Sequence, residues 1–309
     1  LHQPSIQLNP IFAFEREGLR PGDGTVGQAR SIELADSAFL SSLQQVQLLQ
    51  CALTKAEIDH IAVANVEGIG GIRTSLERGV KKGRLTEQEK DAIAGRIKGT
   101  LNMEDFSDRD LVIEAAIENM AEKKKIFARL DQICPPGTIL ATNTSCLSIL
   151  DMAIVTRRPA QVMGLHFFSP VPVMQLVEIV KTLVTSDEVL KAGEAFCKSL
   201  GKQPVLCKDT PGFLANRLGM AYLVYVFRCY EQGIASKEDI DKAMRLGFNH
   251  PMGPLELSDF IGLDTIYYIM VSMYQELNDP LFAPPVILKK MVTAGQLGRK
   301  TGKGFYEYK

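Results

Sequence analysis

His166 and Glu178 are the pair in this chain best suited by type and spacing to acid–base chemistry. They lie in GLHFFSPVPVMQLVE, residues 164–178, and His166 is one of only four histidines. Ser169-Pro170-Val171-Pro172-Val173 reads as a turn between two apolar, β-prone runs. A hairpin centred on Pro172 sets Phe168 opposite Leu176 and His166 opposite Glu178. Opposite residues of an antiparallel pair share a face and come close enough to interact. A carboxylate against one ring nitrogen fixes the tautomer and makes the other nitrogen the better base. The pattern predicts a general base with its orienting acid. On these two residues alone, a part-buried histidine beside an incidental acid stays open as the plainer reading.

The elements that must position this pair are legible from about residue 84 onward. Periodicity predicts a helix over 86–97, a buried strand over 110–117 (DLVIEAAI) and a helix over 120–133. A strand over 138–142, the loop NTSCLS, and strands over 161–168 and 176–182 come next. A helix over 187–200 and a strand over 203–208 follow. Apolar strands alternating with helices argue for an α/β fold with a mostly parallel sheet. After Asp209-Thr210-Pro211-Gly212 the pattern turns helical, over 213–231, 237–246, 255–260, 265–277 and 285–294. We read residues 1–208 as one domain and residues 209–309 as a smaller, all-helical second domain.

Gly22-Asp23-Gly24-Thr25-Val26-Gly27 fits GxGxxG, in which glycines allow a tight turn and close approach to a pyrophosphate. Residues 28–49 can supply a following helix and a short strand, Val46 to Leu49. Gln50 and Cys51 stand where an acid for a ribose hydroxyl is expected, so the motif leaves NAD and NADP open. The whole N-terminal stretch differs in composition. One lysine, Lys55, occurs in residues 1–80 against 19 in residues 81–309, and seven glutamines fall in residues 1–50 against eight in the remaining 259. A separate low-charge segment and a misrecorded reading frame both account for this.

Composition excludes some classes. The 309 residues carry 35 basic and 36 acidic side chains, a net charge of -1, with no polybasic patch for nucleic acid or a membrane surface. No apolar run reaches the roughly 18 residues of a membrane span. The opening LHQPSIQLNP has no signal-peptide pattern, so a cytoplasmic protein is expected, although a removed organellar transit peptide would leave no trace. The six cysteines have neither knuckle nor CxxC spacing, so reduced thiols and no metal site are expected.

Several ordered stretches resemble the (S)-3-hydroxyacyl-CoA dehydrogenases, especially the short bacterial 3-hydroxybutyryl-CoA type. They are SLERGVKKGRLTEQEK (75–90), DLVIEAAIENMAEKKKIF (110–127), ILATNTSCLSI (139–149), GLHFFSPVPVMQLVEIV (164–180), KDTPGFLANRL (208–218), NHPMGPLELSDFIGLDT (249–265) and GRKTGKGFYEY (298–308). The resemblance covers about three quarters of the chain. It implies an NAD-dependent oxidoreductase with a Rossmann-like domain, acting in fatty acid and butanoate metabolism as a homodimer joined through the helical domain.

The same resemblance makes His166 the catalytic base and Glu178 its partner. Ser145 and Asn216, from different domains, become the substrate-contacting pair of a cleft site. Glu118 and Lys123 fall at cofactor-proximal positions, and Asn143 falls near the nicotinamide. Gly22, Gly24 and Gly27 would take the pyrophosphate. Lys81 and Lys82 form a basic cluster that reads either as a solvated face or as a contact for the phosphates of CoA. Two other functions stay open. One is a binding or structural protein that kept the scaffold and lost tight cofactor binding. The other is a dehydrogenase of a hydroxy acid not linked to CoA.

Overall fold

A computed structural model describes residues 11–16, 29–33, 61–63, 66–95, 97–100, 102–169, 171 and 173–308. The chain divides into two units, residues 1–209 and residues 210–309. The first unit contains β1 (Ile11–Arg16), β2 (Ala29–Glu33), β3 (Ile61–Val63), α1 (Val66–Lys81), α2 (Glu87–Gly95), β4 (Ile97–Gly99) and β5 (Leu111–Glu114). It continues through α3 (Met120–Ile133), β6 (Ile139–Thr142), α4 (Ile149–Ala153), β7 (Val162–Phe167), β8 (Leu176–Lys181), α5 (Asp187–Ser199) and β9 (Gln203–Lys208). The sheet runs β4-β3-β1-β5-β6-β7-β8-β9, with β2 paired to β1.

From β5 onward the sheet is mostly parallel. β5, β6 and β7 run parallel, β8 turns back antiparallel on β7, and β9 is parallel to β8. Both faces of this part are covered, which is why LVIE in β5 and VMGLHF in β7 are buried at every position. Ile113, Leu165, Val177 and Ile179 pack with Val189, Phe196 and Leu200 in one apolar core. β1 differs in running antiparallel to both β3 and β5.

Local chemistry sets the boundaries. Thr86 and Glu89 form a reciprocal capping box at the start of α2, with Glu89 N–H on the Thr86 hydroxyl at 3.2 Å and Thr86 N–H on the Glu89 carboxylate at 2.8 Å. That helix ends at Gly95 rather than running to 97, because residues 97–99 pair with β3 instead. The strand expected to reach residue 117 stops at Glu114, whose carboxylate turns back onto the Ala116 N–H. Within residues 28–49, read from sequence as helix followed by strand, residues 29–33 are already strand, paired with β1. Gly22, Gly24 and Gly27 lie outside the described residues.

Gly164 shows why one strand position must be glycine. A β-carbon there would sit 2.3 Å from the Ile149 methyl and 2.8 Å from the Val180 β-carbon. Its absence lets α4 press against β7 two residues before His166.

The second unit holds α6 (Ala215–Glu231), α7 (Lys237–Gly247), α8 (Pro254–Ile261), α9 (Leu263–Leu277) and α10 (Val286–Thr293). Its core gathers Leu223, Phe227, Leu255, Ile266, Met270, Met273 and Phe305. Two buried acids tie its C-terminal segment down. Asp259 accepts from the N–H groups of Phe305 and Tyr306, and Asp241 accepts from the Tyr306 hydroxyl. Among the described residues no helix is long and apolar enough to cross a membrane.

Candidate active site

β7 and β8 pair in the register that sets His166 against Glu178. The Glu178 carboxylate lies 2.7 Å from His166 Nδ1. His166 is 4% exposed and Glu178 is fully buried. A carboxylate accepts, so the neutral ring carries its proton on Nδ1 and its lone pair on Nε2. The Phe168 ring packs at 4.5 Å from the imidazole and limits its rotation.

The loops at the C-terminal ends of β5 and β6 stand beside this pair. The Asn143 side-chain oxygen accepts the Phe167 N–H at 2.9 Å, and Asn143 N–H donates to the Glu114 carbonyl at 2.7 Å. Asn143 therefore ties β5, β6 and β7 together one residue from His166. Ser145 follows on the same loop, and its N–H donates to Glu118 at 2.8 Å. Glu118 also accepts from the Thr144 hydroxyl at 2.6 Å and from the Cys146 N–H at 3.2 Å. Burial pushes the Glu118 carboxyl up, but the Lys123 charge and these three donors outweigh it and hold it below the usual carboxylate range.

Sequence reasoning missed the hub of this arrangement, Glu114. It is fully buried and takes Lys123 Nζ on both oxygens, at 2.7 and 2.9 Å, and the Thr142 hydroxyl at 2.7 Å. Lys123 is 1% exposed and also donates to the Ala116 carbonyl at 3.2 Å, with Glu118 at 3.5 Å. Its ammonium hydrogens are directed at protein oxygens, so Lys123 serves first to hold the loops. The signal was present as an acid inside an apolar strand, LVIE, with a lysine nine residues on.

The remaining candidates lie on other elements. Lys81 ends α1, Lys82 follows it, and both are exposed. Asn216 lies in the first turn of α6, in the second unit. The described cysteines 134, 146, 197, 207 and 229 are free thiols, and burial pushes Cys134, Cys197 and Cys207 up to about 12.

Residues 45–210 match the 3-hydroxyacyl-CoA dehydrogenase NAD binding domain, and residues 212–308 match the C-terminal domain of the same enzymes. The chain belongs to the 3-hydroxyacyl-CoA dehydrogenase family. It is 48% identical over 243 residues to a 3-hydroxybutyryl-CoA dehydrogenase of Mycobacterium tuberculosis, covering 78% of this chain and 85% of that protein. It is 46% identical over 247 residues to the mitochondrial hydroxyacyl-coenzyme A dehydrogenase of Rattus norvegicus, covering 77% of this chain and 78% of that one. A crystal structure of (S)-3-hydroxybutyryl-CoA dehydrogenase from Ralstonia eutropha superposes with a TM-score of 0.81 at 42% identity, over 86% of this chain and 96% of that one. The family match begins at residue 45, after Gly22, Gly24 and Gly27.

As a member of this dehydrogenase family the chain has an NAD-binding domain, and the residues present suit that cofactor. Ligands of open α/β sheets bind beyond the carboxyl ends of the strands. Here those ends carry Glu114 on β5, the Asn143–Ser145 loop after β6 and His166 near the end of β7. This is a polar edge backed by an apolar core.

Proposed function

We propose that this chain oxidises a short-chain (S)-3-hydroxyacyl-CoA to the 3-oxoacyl-CoA with NAD, and runs the reverse, with His166 as base. The observation that carries this reading is the buried 2.7 Å bond from His166 Nδ1 to Glu178 within a 3-hydroxyacyl-CoA dehydrogenase chain. His166 Nε2 takes the proton of the C3 hydroxyl, and Glu178 steadies the imidazolium that forms. NAD supplies the acceptor for the hydride leaving C3. Ser145 and Asn216 hydrogen-bond the C3 oxygen or the thioester carbonyl and orient C3. Asn143 stands by the nicotinamide. Glu118 and Lys123 serve the cofactor by fixing the loop that carries Asn143 and Ser145.

Lys81 and Lys82 are proposed to meet the phosphates of CoA. Their exposure at the end of α1 suits a mobile polyanionic tail. Contacts far from C3 change little between ground and transition states, so they act on binding. Lys81→Ala with Lys82→Ala should raise KM for acetoacetyl-CoA, weaken its salt dependence and leave kcat and NADH affinity alone. An unchanged KM returns both lysines to the solvated face. Comparing acetoacetyl-CoA with free acetoacetate as oxidants of NADH separates a CoA ester substrate from an unlinked acid.

The working form is proposed as a cytoplasmic homodimer. From sequence, the apolar wealth of residues 213–226 and 266–273 argues for a partner. The fold revises that argument, because Met220, Leu223, Val224, Val226, Ile266 and Met270 fill the unit's own core. Leu218 and Tyr225, 65% and 68% exposed and seven residues apart on α6, remain for a second copy. Light scattering at micromolar concentration should give twice the chain mass, and a monomer mass contradicts the dimer.

A further inference from the structure

We infer that Lys202 is a positioning residue for the His166–Glu178 pair, acting from inside the turn that joins their two strands. The inference rests on the base assignment proposed above. Lys202 lies between α5 and β9 and is 5% exposed. Its ammonium donates to the Val171 carbonyl and, at 2.8 Å, to the Met174 carbonyl. Among the described residues no carboxylate lies within ion-pair distance of it. A cation buried on carbonyls alone is costly compared with an apolar side chain of the same length. What the charge provides is a set of donors.

The turn is short of backbone donors. It includes Pro170 and Pro172, which have no N–H. Three ammonium hydrogens on a flexible stem can serve two carbonyls at once, which one backbone N–H could not do with good geometry. Neighbouring contacts reinforce the grip. Lys202 N–H is fixed on the Cys197 carbonyl at 3.0 Å, and Gln203 N–H donates to the Gln175 carbonyl at 2.8 Å. The Val171 side chain, 1% exposed, is packed into the same core as Cys197 and Leu200. The β7–β8 ladder reaches only to Phe167–Val177, one pair beyond His166–Glu178. The base pair is therefore the second rung from the end of the ladder, and Lys202 holds the carbonyls of Val171 and Met174 just beyond that end.

Lys202→Met keeps the stem and removes the donors. It should lower kcat by about 10-fold or more, the scale of a small misplacement of a catalytic group, with KM for NADH unchanged. Lys202→Arg, which keeps both charge and donors, should recover most of the rate. A double-mutant cycle with Glu178→Gln separates positioning from a general role in the fold. If Lys202 acts through the pair, Lys202→Met costs much less in the Glu178→Gln background than in the native chain. Equal cost in both backgrounds, or full turnover by Lys202→Met while Glu178→Gln is slow, overturns the inference for Lys202 alone. Full turnover by Glu178→Gln overturns the base assignment beneath it. If Lys202→Met does not fold, the same cycle with Lys202→Gln decides by the same outcomes.

Discussion

Replacing His166 by glutamine should lower kcat by roughly 100-fold or more, the usual scale for a positioned acid–base group. Glutamine fills similar space and still offers a polar group to Glu178, so the buried carboxylate is not left against an apolar wall. What disappears is the ring nitrogen that takes the proton. Two bonds that hold the loop after β6 do not involve the imidazole, since Asn143 binds the Phe167 N–H and Ser145 N–H donates to Glu118. NADH affinity, read by quenching of its fluorescence, should therefore stay near the native value while turnover falls. Glu178→Gln should be milder and should alter the pH–rate profile, because the imidazolium loses a neighbouring charge but keeps a neighbour. Near-native turnover by His166→Gln removes His166 from the mechanism.

The second large effect belongs to Glu114 and Lys123. Breaking a buried ion pair from one side leaves an uncompensated charge and costs about 3–5 kcal/mol. That is a large share of the roughly 5–15 kcal/mol by which a native domain is stable. Lys123→Met and Glu114→Leu, made singly, should each lose much of the stability of the first unit in urea. Made together they should restore most of it, since both charges leave at once. The doubly substituted chain should still turn over slowly, because Glu118, the anchor of the Ser145 loop, has lost the cation beside it.

Acid provides a second reading of the same network. The folded value of Glu118 lies below its ordinary 4.5, so its ionised form stabilises the fold above that pH. The contribution is lost as pH falls through the folded value. Melting curves of the native chain and Glu118→Gln should therefore converge below about pH 4.5, the ordinary value, and separate above it. Parallel curves across the whole range would mean that the carboxylate contributes nothing as an ion.

The His166–Glu178 register was legible because strand periodicity is two and the flanking prolines mark the turn, so only one pairing keeps both runs buried. Helix 120–133 was legible to the residue because Asn119 caps it and its apolar stripe is regular. Glu114 was not, because a fully buried acid reads as an error in a strand until its lysine is seen across the turn. Lys202 was hidden for the same reason. A lysine after a helix-ending glycine pattern reads as solvent-facing, and only the fold shows the carbonyls it meets. The 16-residue helix α1 carries three glycines in its first half, which weakens any helical reading of the letters. The apolar second unit misled in the opposite direction, since α6 and α9 bury their shared faces against each other within one core.

The most direct test of the account is turnover by the purified, folded chain. Mixed with NADH and acetoacetyl-CoA at neutral pH, it should consume NADH in proportion to the thioester added and release (S)-3-hydroxybutyryl-CoA. A chain that melts cooperatively yet leaves NADH untouched would contradict the account and favour a binding protein on the same scaffold.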